Sequence, residues 1–148
     1  MKVFVTVGSS PFDSLVKTVD ESIACKGEIE CVFQISHGQY LPKNGKYFDF
    51  SDVFHSYVNE CDVVITHAGA GTIFYLLDQN KRFVAVPNLE RIDKHQADLA
   101  NYIKNNGLAL VCNDLTSLAS IFDQLSTFCP AYYEKDSFFV ANELIALF

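Results

Sequence analysis

At 148 residues, 49% of them apolar and with thirteen Phe and seven Tyr, the chain has the length of about one domain and enough apolar side chains for a substantial core. A net charge of −7 with only eleven Lys and Arg, nowhere clustered, argues against nucleic acid or anionic lipid headgroups as partners, because such binding draws on a basic surface. Five cysteines (Cys25, Cys31, Cys61, Cys112 and Cys129), odd in number and without a C-x-x-C pair, indicate neither a disulfide framework nor a zinc site and are expected to be buried free thiols.

The N-terminus, M-K-V-F-V-T-V-G, enters a strand pattern at once, and no later segment reaches roughly eighteen uninterrupted apolar residues, so a cytoplasmic protein is expected. Val3 to Val7 form an apolar strand closed by Gly8-Ser9-Ser10-Pro11, where Ser9 or Ser10 can cap a helix and Pro11 suits its first turn. Phe12, Leu15, Val16, Val19 and Ile23 then recur at helical spacing, and Gly27 ends that helix. A second strand is predicted over Glu30 to Ile35, then a polar loop through Gly38, Pro42, Asn44 and Gly45, and a short strand from Lys46 to Phe50. Ser51 or Asp52 opens the next helix, with Val53, Tyr57 and Val58 toward the sheet.

Val63, Val64 and Ile65 are β-branched and uniformly apolar, as expected of a strand covered on both faces. The strand breaks into T-H-A-G-A-G-T and a helix carrying Ile73, Phe74, Leu76 and Leu77 that stops near Asn80. Phe83 to Val86 is a buried strand ended by Pro87-Asn88. A polar loop leads to a helix with Ala97, Leu99, Ala100 and Ile103, which Gly107 terminates before a strand over Leu108 to Val111. Asp114 caps a further helix with Leu118, Ile121, Phe122 and Leu125 on one side. Pro130 interrupts it, and Asp136 or Ser137 starts a last helix to Phe148.

This alternation predicts a single α/β domain over residues 1–148, a Rossmann-like parallel sheet with helices on both faces. Ligands in such folds collect beyond the carboxyl ends of the strands, and the three turns Gly8 to Ser10, His67 to Thr72 and Pro87 to Gln96 all follow strands. The middle turn has the character of an anion cradle. Gly69 and Gly71 permit close backbone approach, the first helical amides from Ala70 onward lack intrahelical partners, and His67 and Thr72 offer side-chain donors. Glycines that merely tighten a turn, beside a satisfied buried histidine, are the plainer reading of the same residues.

Taken together, V-T-V-G-S-S-P-F-D-S-L-V, D-V-V-I-T-H-A-G-A-G-T and V-P-N followed by D-K-H-Q-A-D-L-A resemble the nucleotide-sugar-binding half of glycosyltransferase family 28, whose members have the GT-B fold. The likeness is to the small cytosolic subunits of two-chain enzymes. One of these adds the second N-acetylglucosamine to dolichol-linked chitobiose, and bacterial counterparts serve capsule or exopolysaccharide synthesis. The resemblance implies that Gly8 and Ser9 lie beside the diphosphate of a UDP-sugar and that His67, Gly69, Ala70, Gly71 and Thr72 cradle it. Asn88 is expected at the rim, and His95 and Gln96 on the donor sugar hydroxyls. Where the family places an acidic residue that holds the ribose, this chain has Tyr75, a poorer bidentate acceptor, and Asp78 one turn onward is the candidate substitute.

No D-x-D triplet occurs, so helix-end amides and His67, with no metal and no cofactor, are expected to offset the leaving-group charge. No catalytic base can be named. The resemblance implies half of an inverting enzyme, whose membrane-associated partner binds a lipid-linked saccharide, supplies the base and recruits this chain to the cytosolic face, with a homodimer left open for the isolated chain. The segment S-F-F-V-A-N-E-L-I-A-L-F is either the contact with that partner or a helix folded on its own core. The competing reading is a scaffold subunit that no longer binds donor. A nicotinamide dehydrogenase fits less well, because the first turn is G-S-S-P rather than G-x-G-x-x-G, and a thiol enzyme less still.

Overall fold

The computed structural model describes residues 1–90 and 95–135. The elements follow in the order β1 (Lys2–Thr6), α1 (Asp13–Ala24), β2 (Glu30–Gln34), β3 (Lys46–Phe48), α2 (Phe54–Glu60), β4 (Val63–His67), α3 (Ala70–Asp78), β5 (Phe83–Val86), α4 (His95–Asn105), β6 (Leu110–Val111), a 3-10 turn (Leu115–Ser117) and α5 (Leu118–Gln124). The strands form one six-stranded parallel sheet, β3-β2-β1-β4-β5-β6, as the alternating pattern predicts.

Successive residues of each strand feed opposite cores. Val3, Val5, Val63, Ile65, Val84 and Val86 meet the apolar stripes of α1 and α5, through residues such as Leu15, Val19, Leu118 and Phe122. Phe4, Val64, Phe83 and Ala85 point the other way, onto Val58 of α2, Ile73 and Leu76 of α3 and Ile103 of α4. Full burial of one such large side chain is worth roughly 1.5–3 kcal/mol, so a one-residue slip, which would exchange the two faces, is strongly disfavoured.

Strand β1 is the switch point. The chain builds β2 and β3 on one side of it, then crosses to build β4, β5 and β6 on the other, and a crevice opens where the order reverses. Thr6 pairs with Thr66 in register, so the turns after β1 and β4 start side by side. No described helix is long and apolar enough to cross a membrane.

Several local expectations are corrected. Helix α1 starts at Asp13 with Phe12 at its N-cap and no side-chain cap, so neither Ser9 nor Ser10 caps it. The carbonyl of Ser9 is held by the Ser36 hydroxyl (3.1 Å) from the end of β2, which carries the loop on past Pro11. Helix α2 starts at Phe54, and Val53 at its N-cap is 53% exposed instead of facing the sheet; Ser51 Oγ accepts from Val53 N–H (3.2 Å). Strand β6 is confined to Leu110–Val111, although Leu108 and Ala109 are buried. Asp114 does cap, but it caps the 3-10 turn, accepting from Thr116 N–H (2.9 Å) ahead of α5. The helix expected over 136–148 lies outside the described residues.

Candidate functional site

The turn after β4 presents an uncapped helix start. His67 ends the strand, Ala68 is buried, and Gly69 is the N-cap of α3 with no side-chain cap. The first intrahelical bond runs from Ile73 N–H to Gly69 O (3.0 Å), so the N–H groups of Ala70, Gly71 and Thr72 precede it and point off the helix start. Ala70 and Gly71 are exposed, and a Cβ built on Gly71 would meet nothing within 4 Å among the described residues. Three amides without an intrahelical acceptor and the positive end of the α3 dipole therefore meet at an exposed helix start, an arrangement suited to an anion.

The turn after β1 lies alongside and is built in the opposite sense. Gly8 has φ 68°, and its N–H is bonded within the chain, to Gln34 Oε1 (3.1 Å) and Thr6 Oγ1 (3.3 Å). A Cβ on Gly8 would fall 2.5 Å from His67 Cε1, and one on Gly69 would fall 2.1 Å from His67 Nε2. The two glycines are thus the walls of a slot for the His67 ring, which only bare backbone can form. His67 Nδ1 is 3.3 Å from Thr66 Oγ1 on the strand below. Gly8 accordingly acts as a wall, with its amide committed inward, while Ser9 is exposed at the same turn.

Between these turns and β3 lies a cleft of about 300 Å³, lined by Gly8, Ser9, Gln34, Phe50, Phe54 and Thr72 among others. Phe50 is 52% exposed and meets His37 edge-on, with ring centroids 5.0 Å apart. Tyr75 stands one turn beyond Thr72, against His55 (4.6 Å) and Phe54 (6.0 Å) of α2. Asp78, the candidate substitute, has another partner. It is the last residue of α3, about 12 Å along the axis from the helix start, and it pairs with Lys135 Nζ at 3.0 Å.

At the third turn, Asn88 is 6% exposed, not on the rim as expected. Its N–H donates to Gln96 Oε1 (3.0 Å) and its Oδ1 accepts from Glu90 N–H (3.1 Å), while Glu90 in turn accepts from the Ser14 hydroxyl of α1 (2.7 Å). Asn88 is therefore a loop brace. Gln96 supports it through Oε1, which leaves Nε2 as the donor that Gln96 can offer a ligand. His95, the first residue of α4, is exposed beside it, and His95 and Gln96 thus open that helix.

The thiols divide. Cys31, Cys61 and Cys112 are buried, and burial pushes each thiol pKa up, away from the reactive thiolate. Cys25 and Cys129 are exposed, against the expectation for all five; they fall at helix ends and loops where no core covers them. The residue the sequence reading missed is Gln34, 4% exposed on the cleft floor. Its one sequence signal is a lone amide closing the apolar run C-V-F before Ile35.

The sequence profile of the glycosyltransferase family 28 C-terminal domain matches residues 2–135. The UDP-N-acetylglucosamine transferase subunit ALG13 of Homo sapiens is 30% identical over 122 residues, 74% of this chain and 11% of that protein, so the chain spans about a tenth of the human relative's length. The Saccharomyces cerevisiae subunit of the same name is 35% identical over 79 residues, covering 50% of this chain and 39% of that protein. Among solved structures, the solution structure of ALG13 superposes with a TM-score of 0.63 at 18% identity, covering 97% of this chain and 94% of that one. Acinetobacter baumannii MurG gives 0.69 at 20% identity, over 85% of this chain and 41% of that one. These superpositions carry the fold, half of a GT-B architecture, and the profile carries the ancestry. The profile covers all three turns at the carboxyl edge of the sheet, and the chain belongs to the glycosyltransferase family 28 C-terminal domain family.

Proposed function

We propose that this chain is the donor-binding subunit of a two-chain, metal-independent, inverting glycosyltransferase that moves a hexose or N-acetylhexosamine from a UDP-sugar to a lipid-linked saccharide. The observation that carries this reading is the exposed, uncapped start of α3 at the switch point of the sheet. The diphosphate would rest on the Ala70, Gly71 and Thr72 amides with the Thr72 hydroxyl and His67 beside it, and the flat nucleobase would enter the aromatic cleft toward Phe50 and Phe54. His95 and Gln96 would then meet the sugar. Relatives named as UDP-N-acetylglucosamine transferase subunits favour N-acetylglucosamine as that sugar.

Transfer breaks the bond between the anomeric carbon and the UDP oxygen as the acceptor oxygen attacks from the opposite face. Charge builds on the departing diphosphate, where fixed amide dipoles stabilise it without reorganising. The proton of the acceptor hydroxyl needs a base, assigned here to a membrane-associated partner that also holds the acceptor and keeps this chain at the cytosolic face. The acceptor class is a lipid-linked saccharide, as in protein glycosylation or in capsule and exopolysaccharide assembly.

The scaffold reading has one observation in its favour, Tyr75 where the family resemblance leads one to expect a carboxylate. Calorimetric titration with UDP separates the two. Saturable binding that His67→Ala weakens about tenfold or more supports the donor subunit. Absence of binding by the chain together with its partner overturns it in favour of the scaffold. Tyr75→Glu, which restores a ribose acceptor, is expected to tighten UDP binding.

A further inference from the structure

Gln34, the last residue of β2, has its side-chain amide engaged on both sides. Its Oε1 accepts from the Thr6 hydroxyl (2.6 Å) and from Gly8 N–H (3.1 Å), and its Nε2 donates to Gly8 O (2.9 Å) and Asp49 O (2.8 Å). Gly8 is therefore held at both its donor and its acceptor by one buried side chain. Asp49 O also accepts from Ser36 N–H (3.2 Å), and the Ser36 hydroxyl donates to Ser9 O, so the ends of β1, β2 and β3 are tied at the floor of the cleft. Ser36 is itself in the left-handed region, at φ 55°, a conformation that surrounding bonds must hold.

What this network fixes is the wall of the His67 slot. The Gly8 backbone packs so closely on the imidazole that an added Cβ would lie 2.5 Å from its Cε1, and Gly69 closes the other side. Turning the Gly8 peptide by a few tens of degrees would move one wall of the slot, leaving Gly69 and the Thr66 hydroxyl on the ring. Burying a fully bonded amide is costly to replace, since an apolar side chain here would strand the polar groups of Gly8, Thr6 and Asp49.

We propose that Gln34, assisted by Thr6, is a positioning residue for His67: it sets the Gly8 wall and thereby the orientation of the imidazole at the cradle. The inference deepens the donor-binding reading and rests on it only for its effect on ligand. Gln34→Glu keeps the acceptor side of the amide and loses both donations; Thr6→Val removes one hydroxyl with little change of shape. Nitrogen-15 NMR of the His67 ring in the full chain is the readout, with thermal unfolding recorded in parallel and UDP as the ligand probe. A merely structural role lowers the melting temperature and leaves the resonances and titration midpoint of folded protein unchanged.

The expected result is displaced His67 ring resonances in folded Gln34→Glu, a smaller displacement together with a changed titration midpoint in the charge-neutral Thr6→Val, and UDP binding weakened about tenfold or more, as misplacement of a contact group predicts. Unchanged His67 signals in folded Thr6→Val and Gln34→Glu overturn the proposal. If Gln34→Glu does not fold, Thr6→Val decides alone. Displaced signals in a chain whose wild-type form does not bind UDP support the positioning role and sink the donor reading instead.

Discussion

The turns after β1 and β4 lie side by side at the switch point of the sheet, and both contain glycine, yet they handle their amides in opposite ways. In the first, Gly8 N–H and C=O are bonded to Gln34. In the second, the amides of Ala70, Gly71 and Thr72 precede the first intrahelical bond of an exposed, uncapped helix. A glycine beside a strand end is thus no guide to which amide a ligand can use. Whether a buried polar side chain has already claimed the amide decides it.

The difference can be broken most severely at Gly8. Gly8→Ala forces an L side chain to φ 68° at roughly 1–2 kcal/mol and drives a methyl onto the His67 ring at a further cost of about 1–3 kcal/mol, so a large fall in melting temperature is expected. Gly69→Ala suffers only the clash, because its φ of −75° suits any residue; it should lose about 1–3 kcal/mol in chemical denaturation and disturb His67 equally. Gly71→Ala sharpens the contrast. Its methyl meets no atom of the described residues within 4 Å and replaces a helical glycine, so stability should hold or rise by about 0.5–1 kcal/mol while UDP titration shows weakened binding. An equal loss of stability at Gly71 would mean that the two turns are alike after all.

The smallest expected effect concerns the loop behind the closed turn. Asp20, 1% exposed, accepts from Lys43 N–H (3.0 Å), Asn44 N–H (2.8 Å) and the Tyr40 hydroxyl (2.8 Å). Burial alone would raise its pKa, but these donations outweigh burial and hold it below the ordinary value of 3.8. A carboxyl with a depressed folded pKa contributes stability that is present above that ordinary value and is lost as pH falls through the folded one. Acid titration of unfolding should therefore show a loss below about pH 4 that Asp20→Asn flattens, with the turn after β4 unaffected.

Much of this was legible in the chain. Uniform β-branched runs separated by helical stripes foretold the parallel sheet, and the T-H-A-G-A-G-T segment foretold the open helix start, because both depend on local pattern and elementary helix chemistry. What escaped depends on partners distant in sequence. Gln34 reads as an ordinary strand end until β1 pairs with β2 and brings Thr6 and Gly8 to it. Asn88 reads as a rim residue until Gln96 returns to its amide. Asp78 reads as a substitute for Tyr75 until Lys135, distant in sequence, pairs with it at the last residue of α3.

The imidazole of His67 and the bare backbones that flank it also constrain how such a chain can drift. Either glycine can acquire a side chain only by displacing the ring, but a lineage that first exchanged the histidine for something small would release Gly69 while Gly8 stays held by its φ of 68°. Decay of this pocket should then leave an ordered record, the ring first, Gly69 next and Gly8 last, so that a descendant with the ring but without Gly8 would be a rarity demanding a rebuilt turn.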